Sequence, residues 1–283
     1  MASVTAPSER VYTMGRTEAE TQRLIRQSQV LDPDTRHLFE AAGIAPGMHV
    51  LDVGCGAGDV SVLAADLVGP SGSVLGIDMN STILDTARER AAERGLAGVR
   101  FAEADLTDLH LDGEFDAIVG RYVLLYVPDP VQVVGALARL VRPGGVLAFY
   151  EFDFAPHVAY ADADKVNPLA RSMYHWFYDV LARSGAQPSM TAVLAGAFRA
   201  AGLQHQRFSF HVPMACADDP DAFDYIADSV RSALPAMERF GVATAPELDV
   251  ATLAGRTREE VERSGMPVWL SGGVAAWGMR PHA

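Results

Sequence analysis

The segment Val50-Leu-Asp-Val-Gly-Cys-Gly-Ala-Gly-Asp-Val60 decides the fold of this chain. It begins as a short apolar run, which is typical of a buried parallel strand. It then carries three alternate glycines, Gly54, Gly56 and Gly58. Glycine tolerates a positive φ, and without a Cβ it lets a ligand approach the backbone amides at a helix N-terminus. The segment therefore predicts a strand, a tight turn and a helix, with a ligand bound at the turn.

Strands and helices alternate downstream of this turn. Apolar runs predict strands at 48–53, 73–78, 99–104, 115–120 and 146–152, and helical periodicity predicts helices at 59–68, 81–94 and 130–141. Such alternation indicates a parallel sheet covered by helices on both faces, with its ligand site at the carboxyl ends of the strands. We predict an α/β fold, a Rossmann-like, doubly wound, mostly parallel seven-stranded sheet with N-terminal helices and a helical cap.

The regions outside the alternation complete the predicted organisation. An apolar stripe predicts two N-terminal helices, and we expect residues 1–45 to cover the cofactor site. Residues 46–283 are the predicted core domain, with cap insertions at about 155–188 and 214–266. Irregular stretches of this kind, inserted in one domain, are typical of caps or lids.

The C-terminal part of the chain carries two further β-like runs. Residues 204–212 alternate apolar and polar side chains, and residues 267–277 form a second β-like run. We expect the two to pair antiparallel.

Composition excludes several classes of partner. Hydrophobic residues make up 49% of the chain, the net charge is -13, and Lys165 is the single lysine among 23 basic residues. Nucleic acid and anionic membranes are therefore excluded as expected partners. The first ten residues lack the features of a signal peptide, and no apolar run is long enough to span a bilayer, so we expect a cytoplasmic protein. No metal-ligand motif is present, and no metal is expected.

The residues around the glycines favour one nucleotide cofactor over another. A dinucleotide loop of the pattern G-x-G-x-x-G needs a third glycine where this chain has Asp59. Asp52 and Asp59 flank the loop, and their charges would repel a pyrophosphate but suit a ligand with an ammonium group and a sulfonium. S-adenosylmethionine (SAM) carries both groups, so SAM is favoured over NAD.

Two aspartates end the next two strands. Asp78 lies 24 residues after Gly54, where a carboxylate can accept hydrogen bonds from ribose hydroxyls. The alternative is that Asp78 caps the following helix. Asp105 ends the third strand, where it suits an adenine edge, and the alternative is a surface aspartate before a loop.

Five ordered segments, VLDVGCGAGDV, GIDMN, ADL, FDAIVGRYVLLYVPDP and LVRPGGVLAFYEFD, resemble the motifs of class I SAM-dependent methyltransferases over about residues 46–153. The resemblance implies SAM as cofactor and assigns its contacts. Gly54 and Gly56 approach the methionyl part, Asp78 the ribose, Met79 the adenine face, Asp105 and Leu106 the adenine edge, and Arg121 with Tyr122 the methyl-bearing region. The lead-in at Tyr12 is similar to that of small-molecule methyltransferases, where Tyr12 would touch the cofactor carboxylate or close the pocket; the alternative is a flexible arm.

Two residues are candidates for a catalytic base. Glu151 follows the fifth strand together with Asp153 and His157, at the edge where the acceptor would lie. His175 is spaced to pair with Asp179 on a helix, which would orient the imidazole and raise its basicity. The alternative for each is a solvated or satisfied polar group.

The predicted function is SAM-dependent methyl transfer to a small, aromatic or apolar metabolite, in keeping with natural product biosynthesis. The aromatic cap with few basic residues supports this class of acceptor, and the sequence leaves open an O-, N- or C-acceptor and a homo-oligomer. Two alternatives remain: a SAM-binding protein repurposed for lyase or cyclisation chemistry, and an NAD-dependent oxidoreductase.

Overall fold

The glycine-rich turn joins the first strand and second helix of an alternating series. The computed structural model describes residues 18–111, 113–164 and 167–282. Its first elements are α1 (Glu18–Ala41), β1 (His49–Val53), α2 (Asp59–Val68), β2 (Ser73–Asp78), α3 (Ser81–Glu93), β3 (Val99–Glu103), β4 (Phe115–Arg121), α4 (Pro130–Leu140) and β5 (Val141–Phe152). Short 3-10 turns follow β3 at Leu106–Asp108 and β4 at Leu124–Tyr126.

The second half of the chain is mostly helical. Its elements are α5 (Ala155–Asp164), α6 (Pro168–Ser184), α7 (Thr191–Ala200), β6 (Gln204–His211), β7 (Met214–Ala215), α8 (Pro220–Arg239), α9 (Ala245–Leu248), α10 (Val250–Ser264), β8 (Val268–Trp269) and β9 (Gly273–Met279). In the described parts of the chain, no helix is long and apolar enough to cross a membrane.

The main sheet has seven strands in the order β3-β2-β1-β4-β5-β9-β6. Strands β1 to β5 pair in parallel, and β9 lies antiparallel between β5 and β6. The strand order reverses between β1 and β4, so the carboxyl ends of these two strands border the crevice where such sheets bind ligands. The predicted Rossmann-like fold is confirmed, as is the antiparallel pairing of the two C-terminal strands.

Helices cover both faces of the sheet. Leu51 and Val53 of β1 join the apolar cluster that includes α4 and α7, whereas Val50 joins the cluster that includes α1 and α2. Successive side chains of a strand point to opposite faces, so a strand covered on both faces must be apolar at nearly every position. This explains why the strands appear in the sequence as continuous apolar runs.

Two helical predictions need correction. The N-terminal stripe forms one helix, α1, which continues through Pro33, and the prediction of two helices is wrong. Proline weakens a helix interior, but Leu31 and Leu38, on either side of Pro33, are buried in the same cluster and hold α1 together. The sequence also missed α5, which begins where the Ala155 amide donates to Asp153 Oδ1 at 3.2 Å.

A separate apolar cluster lies among α5, α6, α8 and α10, with Met173 of α6 and Phe223 of α8 in its interior. These helices fall within residues 155–188 and 214–266. The division of the chain at residue 45 and the role of these two stretches as cap insertions stay predictions. We use the name cap helices for α5, α6, α8 and α10.

Candidate active site

Gly54 and Gly56 have different surroundings in the glycine turn. A Cβ at Gly54 would lie 2.4 Å from Cγ2 of Val123, so this glycine is needed for the turn to pack against the exit of β4. Gly56 has a φ of +52°, and a Cβ built on it would meet nothing within 4 Å. The turn therefore borders open space at Gly56, which fits a ligand lying against its backbone.

Asp78 is joined to this turn. Its Oδ2 accepts a hydrogen bond from the Gly56 amide at 3.0 Å, and its Oδ1 accepts from the Asn80 amide at 2.9 Å. Asn80 itself caps α3 by accepting from the Thr82 amide, so the alternative of Asp78 as the cap is wrong. A carboxylate has about four lone-pair positions, which leaves Asp78 able to accept ribose hydroxyls. Met79 beside it is 55% exposed.

Asp105 stands at the end of β3. Its Oδ1 accepts from the Thr107 amide at 2.8 Å and from the Thr107 hydroxyl at 2.7 Å, and so caps the 3-10 turn that begins at Leu106. Leu106 packs against the core cluster. Asp105 thus holds the backbone in place at the carboxyl end of β3. The adenine contacts of Asp105 and Leu106 stay predictions.

The carboxylates of Asp52 and Asp59 do not carry the free charges expected of them beside the glycine turn. Asp59 Oδ1 lies 2.6 Å from Arg90 Nη2, so its charge is paired. Asp52 is fully buried beneath the turn and accepts from the Ser61 hydroxyl at 2.6 Å, and burial raises the pKa of Asp52 to about 7. Neither acid presents a free negative charge to the crevice, because Asp59 is paired with Arg90 and Asp52 is buried away from it.

Arg121, at the carboxyl end of β4, is held by α1. Its Nη1 donates to Asp32 Oδ1 at 2.8 Å and to the Thr35 hydroxyl at 3.1 Å, and its side chain is only 7% exposed. Burial raises the pKa of Asp32, although Arg121 opposes this shift. Arg121 therefore fixes α1 against the edge of the sheet where the methyl-bearing region was predicted.

Tyr122, the next residue, is strained. Its φ of +56° is in the left-handed region, which costs a non-glycine residue about 1–3 kcal/mol. Its ring stacks on Phe152 with 3.5 Å between centroids, and its buried hydroxyl has no partner among the described residues. Burial also raises the pKa of this hydroxyl well above its ordinary value. Strain of this kind clusters at functional sites.

Glu151 explains how the strained turn is held, and its position corrects its predicted role as a base. Its carboxylate is fully buried and accepts from the Val123 and Leu124 amides at 3.1 and 2.9 Å and from the Leu125 amide at 3.4 Å. Burial raises the pKa of Glu151 to about 7, whereas these hydrogen bonds oppose the shift. Glu151 does not face an acceptor, because its oxygens are turned to the backbone after β4.

His175 is also displaced from its predicted role. Its Nε2 lies 3.2 Å from Asp162 Oδ1 on α5, not against Asp179, which lies 3.9 Å from Arg183. The residues of α6 that line a cavity, Phe177 and Leu181 among them, are on the opposite face of the helix. Tyr12, the remaining predicted contact, lies outside the described residues.

A cavity lies between the carboxyl ends of β4 and β5 and the cap helices. It is narrow: the space between its walls and its open mouth is about 390 Å³, of which only about 20 Å³ can take the centre of a water-sized molecule. It is lined by Gln27, Tyr126, Phe152, Phe154, Phe177, Val180, Leu181, Tyr225, Ser229, Ala233 and Ser271. None of these described lining residues carries a formal charge. Gln27 and Tyr225 come from helices far apart in the chain, so no local sequence pattern predicted that they would line one cavity.

Three of the lining residues form what we call the aromatic wall: Phe152, Phe154 and Phe177. The rings of Phe152 and Phe154 stack with 5.2 Å between centroids, and those of Phe154 and Phe177 with 5.7 Å at an interplanar angle of 8°. In the described parts of the chain, no three histidine, cysteine, aspartate or glutamate side chains are grouped so that they could hold a metal ion.

The reversed strand order, the glycine turn and the aspartate joined to it define a Rossmann-like protein with a nucleotide-cofactor site. A family model described as a methyltransferase domain matches residues 44–183. This match begins before β1 and ends at α6, so it spans the cofactor crevice and part of the cap helices.

Relatives of known name agree with this match. The chain is 39% identical over 124 residues to the ubiquinone/menaquinone biosynthesis C-methyltransferase UbiE of Cellvibrio japonicus, covering 43% of this chain and 49% of that protein. It is 33% identical over 186 residues to nocamycin O-methyltransferase of Saccharothrix syringae, covering 62% and 66% of the two chains. The crystal structure of YcgJ from Bacillus subtilis has a similar fold, with a TM-score of 0.57, 20% identity and coverage of 89% and 100%.

The chain therefore belongs to the class I SAM-dependent methyltransferase family. This membership argues against an NAD-dependent oxidoreductase, the alternative that the sequence left open. The chain spans about half of the length of the UbiE relative and about two thirds of that of the nocamycin enzyme.

Proposed function

We propose that this protein transfers the methyl group of SAM to a small aromatic or apolar acceptor bound in the cavity next to β4 and β5. The single observation that carries the proposal is a cavity whose described lining residues carry no formal charge and include an aromatic wall, next to the crevice of a fold typical of SAM-binding proteins. Pockets of this composition bind small apolar molecules and use a few polar groups to orient them. A role in natural product biosynthesis is part of the proposal, supported by the likeness to nocamycin O-methyltransferase.

The residues at the crevice fit SAM. Gly56 borders open space and Asp78 has lone pairs for hydroxyl groups, so the turn and the end of β2 would hold the methionyl and ribose parts. Met79, Asp105 and Leu106 would hold the adenine. Bound SAM supplies an electrophilic methyl group on a sulfonium. The protein's task in such a displacement is to align the acceptor and exclude water.

The proposal covers a carbon, oxygen or nitrogen atom as the methyl acceptor. UbiE is named as a C-methyltransferase and the nocamycin enzyme as an O-methyltransferase, and both resemble this chain. Among the described cavity residues there is no carboxylate or imidazole that could act as a base. We therefore propose that catalysis depends mainly on positioning, with an acceptor whose nucleophile needs little help from a protein base.

Four further statements stay predictions. Residues 1–45, with Tyr12, are expected to cover the cofactor site, and α1 contributes Gln27 to the cavity in keeping with this. A cytoplasmic location, metal-independent activity and a homo-oligomer are likewise predictions.

The test is product analysis with purified protein, SAM and a panel of phenols, naphthols and enols. We expect S-adenosylhomocysteine and a product heavier by one methyl group in equal amounts, and activity that survives a chelator. Conversion of an acceptor without S-adenosylhomocysteine would contradict methyl transfer and favour the lyase or cyclisation alternative. Loss of activity with chelator would overturn the metal-independent part only.

A further inference from the structure

Two of the polar side chains that line the cavity are hydrogen-bonded to each other. Gln27 on α1 and Tyr225 on α8 both line it, and the Gln27 Nε2 donates to the Tyr225 hydroxyl oxygen across 3.5 Å. We call these two residues the polar pair. They are 198 positions apart in the sequence and almost fully buried, with 8% and 2% of their surfaces exposed. The aromatic wall supplies only apolar surface to the same cavity.

The direction and length of the Gln27–Tyr225 hydrogen bond leave donors available to a ligand. Because Gln27 donates, the hydrogen of the Tyr225 hydroxyl remains to be donated elsewhere, and the Gln27 amide has a second N–H. A separation of 3.5 Å is long compared with the usual 2.9–3.0 Å, so the contact is weak and a ligand can replace it without great loss. The polar pair thus offers donors to an atom with lone pairs.

One other polar side chain of the cavity, Ser229, is less suited to this role. The Ser229 hydroxyl donates to the Tyr225 carbonyl oxygen at 2.8 Å, so its hydrogen is used within α8. Since no described lining residue is charged, a charged acceptor would lose its hydration without compensation. The cavity therefore favours a neutral molecule with a flat apolar body and one polar edge.

We propose that the polar pair determines acceptor specificity by binding an oxygen substituent of a neutral aromatic acceptor whose ring lies against the aromatic wall. This inference rests on the proposed function and deepens it. It makes Gln27 and Tyr225 acceptor-binding residues, and it gives α1 and α8, two helices far apart in the sequence, a joint part in one site.

The experiment uses the full chain saturated with S-adenosylhomocysteine and two probes of nearly equal shape, 1-naphthol and 1-methylnaphthalene. Calorimetry gives the dissociation constant of each probe. We expect the wild type to prefer 1-naphthol by about fivefold or more, the factor contributed by one net hydrogen bond. Tyr225→Phe and, independently, Gln27→Leu should each reduce the preference to less than about twofold while 1-methylnaphthalene and S-adenosylhomocysteine still bind.

Tyr178→Phe is the matched control, because it removes a hydroxyl from α6 at a residue that does not line the cavity. It should keep the wild-type preference. A wild-type preference near one, or a preference that survives both substitutions, would overturn the role of the polar pair and leave the cavity as the acceptor site. Binding of S-adenosylhomocysteine with no binding of either probe would overturn the acceptor site as well. Failure to bind S-adenosylhomocysteine would overturn the proposed function itself.

Discussion

The Asp78 carboxylate accepts a hydrogen bond from the Gly56 amide at 3.0 Å, and this contact couples the end of β2 to the turn after β1. The two motifs that identify the family are therefore one physical unit. A change in Asp78 must alter both the predicted ribose contacts and the position of the turn that faces the cofactor.

Asp78→Ala should weaken the binding of SAM by about 1.5–3 kcal/mol, the range for hydrogen bonds that involve a charged group. Calorimetric titration with SAM and with S-adenosylhomocysteine measures this loss. Asp85→Ala on the exposed face of α3 is the control, since Asp85 pairs only with Arg88 at the surface, and it should bind as the wild type does. Equal affinity of the Asp78 variant and the wild type would refute the ribose role.

Two glycine substitutions should separate packing from ligand access. Gly54→Ala places a Cβ against Val123 at a residue with a φ of +64°, so an overpacking cost of about 1–3 kcal/mol adds to the cost of the left-handed backbone and lowers the free energy of unfolding. Gly56→Ala adds a Cβ to open space, so only the cost of its left-handed backbone applies, about 1 kcal/mol. Urea unfolding should rank Gly54→Ala as the less stable, whereas cofactor affinity should fall in Gly56→Ala. The reverse ranking in stability would contradict this geometry.

The sequence predicted the strands and the glycine turn that border the crevice because their signals are local, and the SAM contacts assigned to them stay predictions. Strand, glycine turn and strand-end aspartate follow each other within Val50–Asp78, and the parallel sheet brings them together. The acceptor half depends on contacts between distant segments, such as Gln27 with Tyr225. No periodicity in either helix could reveal that pairing. Glu151 shows a third case, since its position at a strand end was predicted correctly but its orientation toward backbone amides was not.

Glu151→Gln should change how stability depends on pH. The folded pKa of Glu151 is about 7, above the ordinary carboxyl value of about 4.3, so its contribution to stability is complete at low pH and is lost as pH rises toward and through 7. The variant cannot ionise and should lack this loss, which amounts to roughly 2–4 kcal/mol. Chemical unfolding at pH 5 and pH 8 measures the difference between the two proteins. A parallel pH dependence in both would show that Glu151 is ionised without cost.

His157 should act in the opposite direction. Its imidazole is fully buried, with Nδ1 3.2 Å from the Asp153 carbonyl oxygen and Nε2 3.0 Å from that of Leu270, and burial lowers its pKa. Its contribution to stability is therefore complete above the unfolded pKa near 6.5 and falls as pH drops below that value. His157→Asn should lose less stability than the wild type between pH 7 and pH 5. His110→Asn, at an exposed histidine, should follow the wild type. A steeper loss in His157→Asn than in the wild type would contradict the shift.

The contact between Arg121 and Asp32 should affect the acceptor more than the cofactor. Arg121 holds α1 against β4, and the same helix carries Gln27 into the cavity. Asp32→Asn and Arg121→Met, alone and combined, form a double-mutant cycle in which we expect a coupling of about 1 kcal/mol in stability, because Asp32 is partly exposed. In turnover, Asp32→Asn should raise KM for the acceptor severalfold and leave KM for SAM within twofold. If KM for SAM rose instead, α1 would be holding the cofactor, and Arg121 would belong to the SAM site as the family motif implies.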